Sequence, residues 1–221
     1  MYEAYQPPGF RLLPEAVKHL LILNGLVFMA QTLPVLEGVF LRYGALWHPL
    51  TGLFLPWQLV TSLFLHGGIA HLFFNMLALW MFGAPLENFW GSRRFVLYYF
   101  LCGSGAMLTH LIVTTFWGDP TAPVIGASGA VFGLLLGFGL LFPNQYIYLY
   151  FLLPIKAKYF VILYGLLELW AGVAAGPSDH VARFAHLGGM LWGYALIRIW
   201  THQARRRYRA WQQMYEDKPV S

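Results

Sequence analysis

Apolar residues run along this chain in long blocks that polar residues interrupt only briefly. Residues 19–36, 43–86, 95–118, 120–155 and 169–178 contain no Asp, Glu, Lys or Arg. A helix needs roughly 20 mostly apolar residues to cross a hydrocarbon core of about 30 Å, and several of these blocks are long enough. The pattern predicts six helical spans near residues 18–37, 65–85, 94–117, 128–142, 157–176 and 183–201. Turn and cap chemistry separates them: Pro85 and then Gly91-Ser92, Gly118-Asp119-Pro120, Pro143-Asn144, and Gly176-Pro177-Ser178.

Two stretches fit no straight span. Residues 38–64 are too apolar for an ordinary outer loop, while their Gly and Pro residues break any single helix. They predict a re-entrant or interfacial structure packed against the bundle, with Trp47 and Trp57 at headgroup depth. Residues 143–156 alternate weakly as far as Pro154 and predict an amphipathic connector on the inner side. No internal repeat or low-complexity segment is present. The expected organisation is all-α: a tail over 1–17, one membrane domain over 18–201, and a basic tail over 202–221.

Composition sharpens the class. Hydrophobic residues make up 58% of the chain and charged residues 10%, against about 25% charged in a soluble domain. The net charge of +5 does not argue for nucleic acid, because the basic residues sit between spans, where anionic lipid is the simpler partner. Six spans put both termini on one side. With that side inside, twelve of the fourteen Lys and Arg residues fall there, leaving only Arg42 and Arg183 outside. The positive-inside rule then predicts cytoplasmic termini. The N-terminus lacks the basic region and small-residue cleavage site of a signal peptide, so the first apolar segment is expected to stay as a helix. Cys102 lies in an apolar run and reads as a small packing residue.

The candidate chemistry is concentrated in three spans. The fourth opens with GASGAVFG, in which Gly126 and Gly129 flank Ser128 and leave its hydroxyl approachable. A helix start offers free N–H groups and a positive dipole end, both suited to an oxyanion. The rival reading is that Ser128 simply caps the helix. From Ser128 to Phe142 the helix is about 22 Å long at 1.5 Å per residue, shorter than the hydrocarbon core, so Ser128 should lie below the outer surface.

The sixth span carries His186 near its outer end, and an ionisable group inside a span is a functional candidate. Gly129, Gly133 and Gly137 on the fourth span and Gly189 and Gly193 on the sixth recur every four residues, a spacing that lets backbones approach closely. Packing those faces together would bring Ser128 and His186 within reach for proton transfer. The second span contributes His66, His71 and Asn75; the last two are four residues apart on one face and can donate to a developing oxyanion. A metal site is the rival reading there, but no HExxH is present and Glu87 lies at the far end of the helix. His66 reads as an anchor for the preceding loop.

Taken together, His66, His71 and Asn75, the GASGAVFG around Ser128, and the Ala185, His186, Gly189 and Gly193 pattern resemble the rhomboid intramembrane proteases, over roughly residues 55–200. The resemblance implies a six-helix core and a multi-pass protein of the cell (inner) membrane. It also implies an intramembrane serine endopeptidase whose Ser128–His186 dyad lacks a third carboxylate and needs no cofactor. His71, Asn75 and the Ser128 backbone N–H would form the oxyanion hole, and Phe132 would stack on the histidine. The implied substrates are single-pass transmembrane proteins, admitted past the second and fifth spans.

One departure is Trp57-Gln58 in the first outer loop, where many relatives carry Trp-Arg. Two other readings compete: a catalytically inactive relative that binds membrane clients, and a small transporter relaying protons through histidines. Glu168, in the fifth span, has no partner that the sequence names. Glu87 is expected to pair with Arg93 and Arg94, and Asp179-His180 to lie in an outer loop.

Overall fold

The computed structural model describes residues 9–149, 152–174 and 177–216. Its α-helices are α1 (Glu15–Gln31), α2 (Pro34–Val39), α3 (Gln58–Thr61), α4 (Ile69–Trp90), α5 (Ser92–Trp117), α6 (Ser128–Leu141), α7 (Ala157–Ala174) and α8 (Pro177–Glu216); strands β1 (Tyr146–Leu149) and β2 (Leu153–Lys156) lie between α6 and α7. By length and composition α4, α5 and α7 are each able to cross a membrane, and α1 joined to the bent segment after it makes a fourth candidate. The molecule is a multi-pass membrane protein built from apolar helices. Helices α5, α6 and α8 pack on one another at its centre.

Several boundaries differ from the sequence expectation. The span expected over 18–37 stops at Gln31, and the chain turns by 106° into Pro34–Gly44. Leu33 is extended (φ −76°, ψ 123°) because the following Pro34 disfavours helical backbone before it. In contrast, Pro85 does not end α4, which continues to Trp90 and stops at Gly91, where φ is +79°. The last helix begins before residue 183 and runs on to Glu216, so the tail expected from 202 is helical through most of its length. Asp179 and His180 fall within this helix rather than in a loop.

The all-α expectation is corrected at residues 143–156. Tyr146–Leu149 and Leu153–Lys156 pair as an antiparallel hairpin, with Tyr146 opposite Lys156 and Tyr148 opposite Pro154. The weak alternation has a strand's period of two: Ile147 is buried while Tyr146 and Tyr148 face outward. Pro154 is tolerated because a two-stranded sheet consists only of edges.

The loop between α1 and α4 is held by one buried amide. The Gln58 side chain is fully buried. Its Oε1 accepts from the N–H groups of Trp47 (3.3 Å) and Leu55 (3.0 Å), and its Nε2 donates to the carbonyls of Arg42 (3.3 Å) and Leu53 (3.2 Å). Trp47 and Trp57 donate their indole N–H groups to the carbonyls of Leu41 and Tyr43. An irregular segment of this kind leaves backbone groups that water or protein must satisfy, and here Gln58 does so from inside. A short bridge between Leu46 and Val124 fastens the loop to the segment leading into α6.

Glu87 does not pair with Arg93 or Arg94. Its carboxylate oxygens accept the backbone N–H groups of Ala16 and Val17, each at 2.8 Å, and the hydroxyl of Ser92. Pro14 offers α1 no side-chain cap, and Glu87 on α4 supplies what local sequence lacks. Arg94 instead lies over the Trp200 ring at 4.7 Å.

Candidate functional site

The first turn of α6 carries Ser128, and its hydroxyl does not cap the helix. Ser128 Oγ lies 2.8 Å from His186 Nε2. That contact depends on how closely α6 approaches α8. A Cβ placed on Gly189 would overlap the Gly129 carbonyl, and one on Gly129 would overlap the Ala106 side chain of α5. At Gly133 an added Cβ would come within 2.6 Å of Cys102 Sγ, and at Gly137 within 3.0 Å of the Tyr98 hydroxyl. Gly189 is where α8 meets the α6 backbone directly, with a Cβ on Gly133 3.2 Å from the Gly189 carbonyl by the same measure, while Gly129 and Gly137 make room for side chains of α5. Tyr98 adds a hydrogen bond across the seam, donating to the Gly133 carbonyl at 2.8 Å.

Phe132, one turn after Ser128, lies flat on the His186 ring: centroids are 4.3 Å apart and planes 7° from parallel. Its other neighbour is Tyr164 of α7, at 5.5 Å. The histidine is therefore fixed on one face by an aromatic ring and at one edge by the serine.

Gly126 has φ +128° and donates its N–H to the Ser62 carbonyl at 2.9 Å. A Cβ at Gly126 would stand 2.9 Å from His71 Nε2 and 3.8 Å from Ser128 Oγ. Both conformation and space therefore require glycine, and the His71 ring edge is brought beside the start of α6. The Gly67 N–H donates to His71 Nδ1 at 3.2 Å. That leaves Nε2 as the protonated nitrogen, directed at the Gly126–Ser128 turn. Asn75, one turn further along α4, donates one amide hydrogen to the His71 carbonyl at 2.8 Å and keeps a second.

His66 is buried, its ring 5.1 Å from that of His71. Gln31 of α1 clamps its backbone, donating to the His66 carbonyl (2.8 Å) and accepting from its N–H (3.1 Å). His110 is remote in role: it is buried on α5 with Thr114 as its partner at 3.2 Å.

The structure departs from the expectation of a site without a carboxylate. Glu168 of α7 places Oε2 3.3 Å from His186 Nδ1 and 3.6 Å from Arg183 Nη1. Sequence reasoning left Glu168 without a partner, although it held one signal: Glu168 is the only charged residue between Lys158 and Asp179. Gln58 stood out in the sequence only as a departure from Trp-Arg, and Gln31 not at all, because an amide inside an apolar run reads as neutral.

Comparison with known proteins completes the picture. The family model described as the rhomboid domain matches residues 55–203. YdcA of Bacillus subtilis is 32% identical over 155 residues, covering 69% of this chain and 71% of YdcA. Rhomboid protease GluP of the same bacterium is 36% identical over 138 residues, 62% of this chain and 25% of GluP. RHOMBOID-like protein 6, mitochondrial, of Arabidopsis thaliana is 34% identical over 142 residues, 63% of this chain and 42% of that protein. The chain thus spans less than half of the latter two. With the rhomboid model matched across more than half its length and the motif residues of α4, α6 and α8 inside the match, this chain belongs to the rhomboid family.

Proposed function

We propose that this protein is an intramembrane serine endopeptidase that cleaves peptide bonds in or beside the transmembrane segments of single-pass membrane proteins. The observation that carries the reading is the 2.8 Å contact between Ser128 Oγ and His186 Nε2, at the start of a helix of only fourteen residues. Such a helix is about 21 Å long, so the serine lies in a recess below the membrane surface. His186 Nε2 takes the hydroxyl proton as Oγ bonds to the scissile carbonyl carbon. The resulting oxyanion is met by His71 Nε2–H, the free amide hydrogen of Asn75 and the Ser128 N–H. His186 then returns the proton to the leaving amine as the C–N bond breaks, and water releases the acyl group by the same steps in reverse. His66 supports His71, and Phe132 holds the imidazole plane.

In this reading α1, α4, α5, α6, α7 and α8 form six spans of the cell (inner) membrane, with both termini in the cytoplasm. The re-entrant loop lies on the outer side, and its two indoles sit at headgroup depth. The test is labelling of the detergent-solubilised protein with a fluorophosphonate probe. Wild type is expected to label at Ser128, while Ser128→Ala and His186→Ala do not. Labelling that survives Ser128→Ala rejects the assignment.

A further inference from the structure

We infer that Glu168 is a positioning residue for His186, making the machinery of this protein a carboxylate–histidine–serine chain rather than a bare pair; the inference rests on the proteolytic reading above. Glu168 is buried on α7, a helix that otherwise turns Leu166, Leu169, Trp170 and Val173 outward. A carboxylate in a spanning helix is costly unless it is partnered. Its partners are the outer nitrogen of His186 at 3.3 Å and the Arg183 guanidinium at 3.6 Å.

The chemistry follows from which nitrogen holds the proton. A carboxylate only accepts, so Glu168 stabilises the tautomer with hydrogen on Nδ1. Nε2 is then left with its lone pair, and Nε2 is the atom facing Ser128 Oγ at 2.8 Å. A general base needs that arrangement; in the opposite tautomer an N–H would point at the hydroxyl. When Nε2 takes the serine proton, the new charge on the ring faces the Glu168 carboxylate. The 3.3 Å separation is long for a hydrogen bond, as such contacts often are before substrate is bound. Phe132 covers the flat face of the ring, so Ser128 and Glu168 together fix the remaining freedom, rotation within the ring plane. Arg183 shares the same carboxylate oxygen and holds Glu168 toward α8. The groups facing this chain are thus Ser128, His71, Arg183 and Glu168, from α6, α4, α8 and α7.

The experiment measures the rate of fluorophosphonate labelling of the full-length protein in detergent for wild type, Glu168→Gln, Arg183→Gln and the double variant. It adds the nitrogen NMR spectrum of 15N-histidine protein, with His186 assigned by comparison with His186→Ala. Glu168→Gln is expected to label about tenfold to 100-fold more slowly at an unchanged melting temperature. Its His186 spectrum should move from the Nδ1–H tautomer toward a mixture, and Arg183→Gln should lose much less. An unchanged labelling rate in Glu168→Gln overturns the inference. So does an unchanged tautomer, or equal losses in both single variants with no further loss in the double, since these mark a structural latch between α7 and α8. If wild type itself does not label, the proteolytic reading fails, and the tautomer comparison alone decides whether Glu168 orients His186.

Discussion

Helices α6 and α7 flank the same histidine and are held in opposite ways. α6 buries ten of its fourteen residues, and its glycines are filled by backbone and side chains of α5 and α8. α7 buries only Ala157, Val161, Glu168 and Gly172 of its eighteen. The serine therefore sits on the most constrained element, where a small shift would break its 2.8 Å contact. Glu168 sits on an element with far less packing to lose. A protein that must admit another protein's helix needs one side that yields while the reacting atoms stay fixed. By burial α6 is the tightly packed side of the site and α7 the loosely packed one. Displacing α7 would also carry Glu168 away from His186, which ties access to the state of the base.

The contrast is broken most severely by filling the glycine seam. Gly189→Leu would drive a side chain into the Gly129 carbonyl. We expect loss of both the folded protein and probe labelling, followed by gel filtration; normal folding would show that α6 and α8 tolerate separation. Leu134→Ala removes a fully buried side chain from α6 and should cost about 2–5 kcal/mol in a reversible unfolding measurement. Val161→Ala, at the buried contact of α7 with Gly139, should cost only about 1 kcal/mol. Substrate cleavage in Val161→Ala should be unchanged or faster, and a loss matching that of Leu134→Ala would end the contrast.

Phe132→Ala keeps serine and histidine but uncovers the imidazole. Ring stacking is worth about 0.5–1.5 kcal/mol, so labelling should slow by a few-fold to about tenfold. The smallest perturbation is none at all: amide hydrogen exchange of the native protein should be faster in α7 than in α6. Equal protection would remove α7 as the yielding element.

The sequence alone revealed the membrane class because blocks without charge admit little else, and hydropathy requires no knowledge of partners. The motif residues were legible for a related reason. A serine between glycines, a histidine inside a span and a His-x-x-x-Asn face are each costly in an apolar helix unless they have a use. Glycine spacing even indicated which helices would meet, since a stripe of small residues is itself a packing surface. Local chemistry was less reliable at Pro34 and Pro85: both are helix breakers, yet only the first ends its helix. The hairpin at 146–156 escaped because so short an alternation resembles an amphipathic connector.

Tertiary structure alone decided the pairings between distant polar groups. Glu87 finds the free N–H groups of Ala16 and Val17 some seventy residues away, Gln58 satisfies four backbone groups of its loop, and Glu168 meets His186. Each is a buried polar side chain. Its need for a partner follows from the cost of burial, but which partner it meets is fixed only when the helices pack.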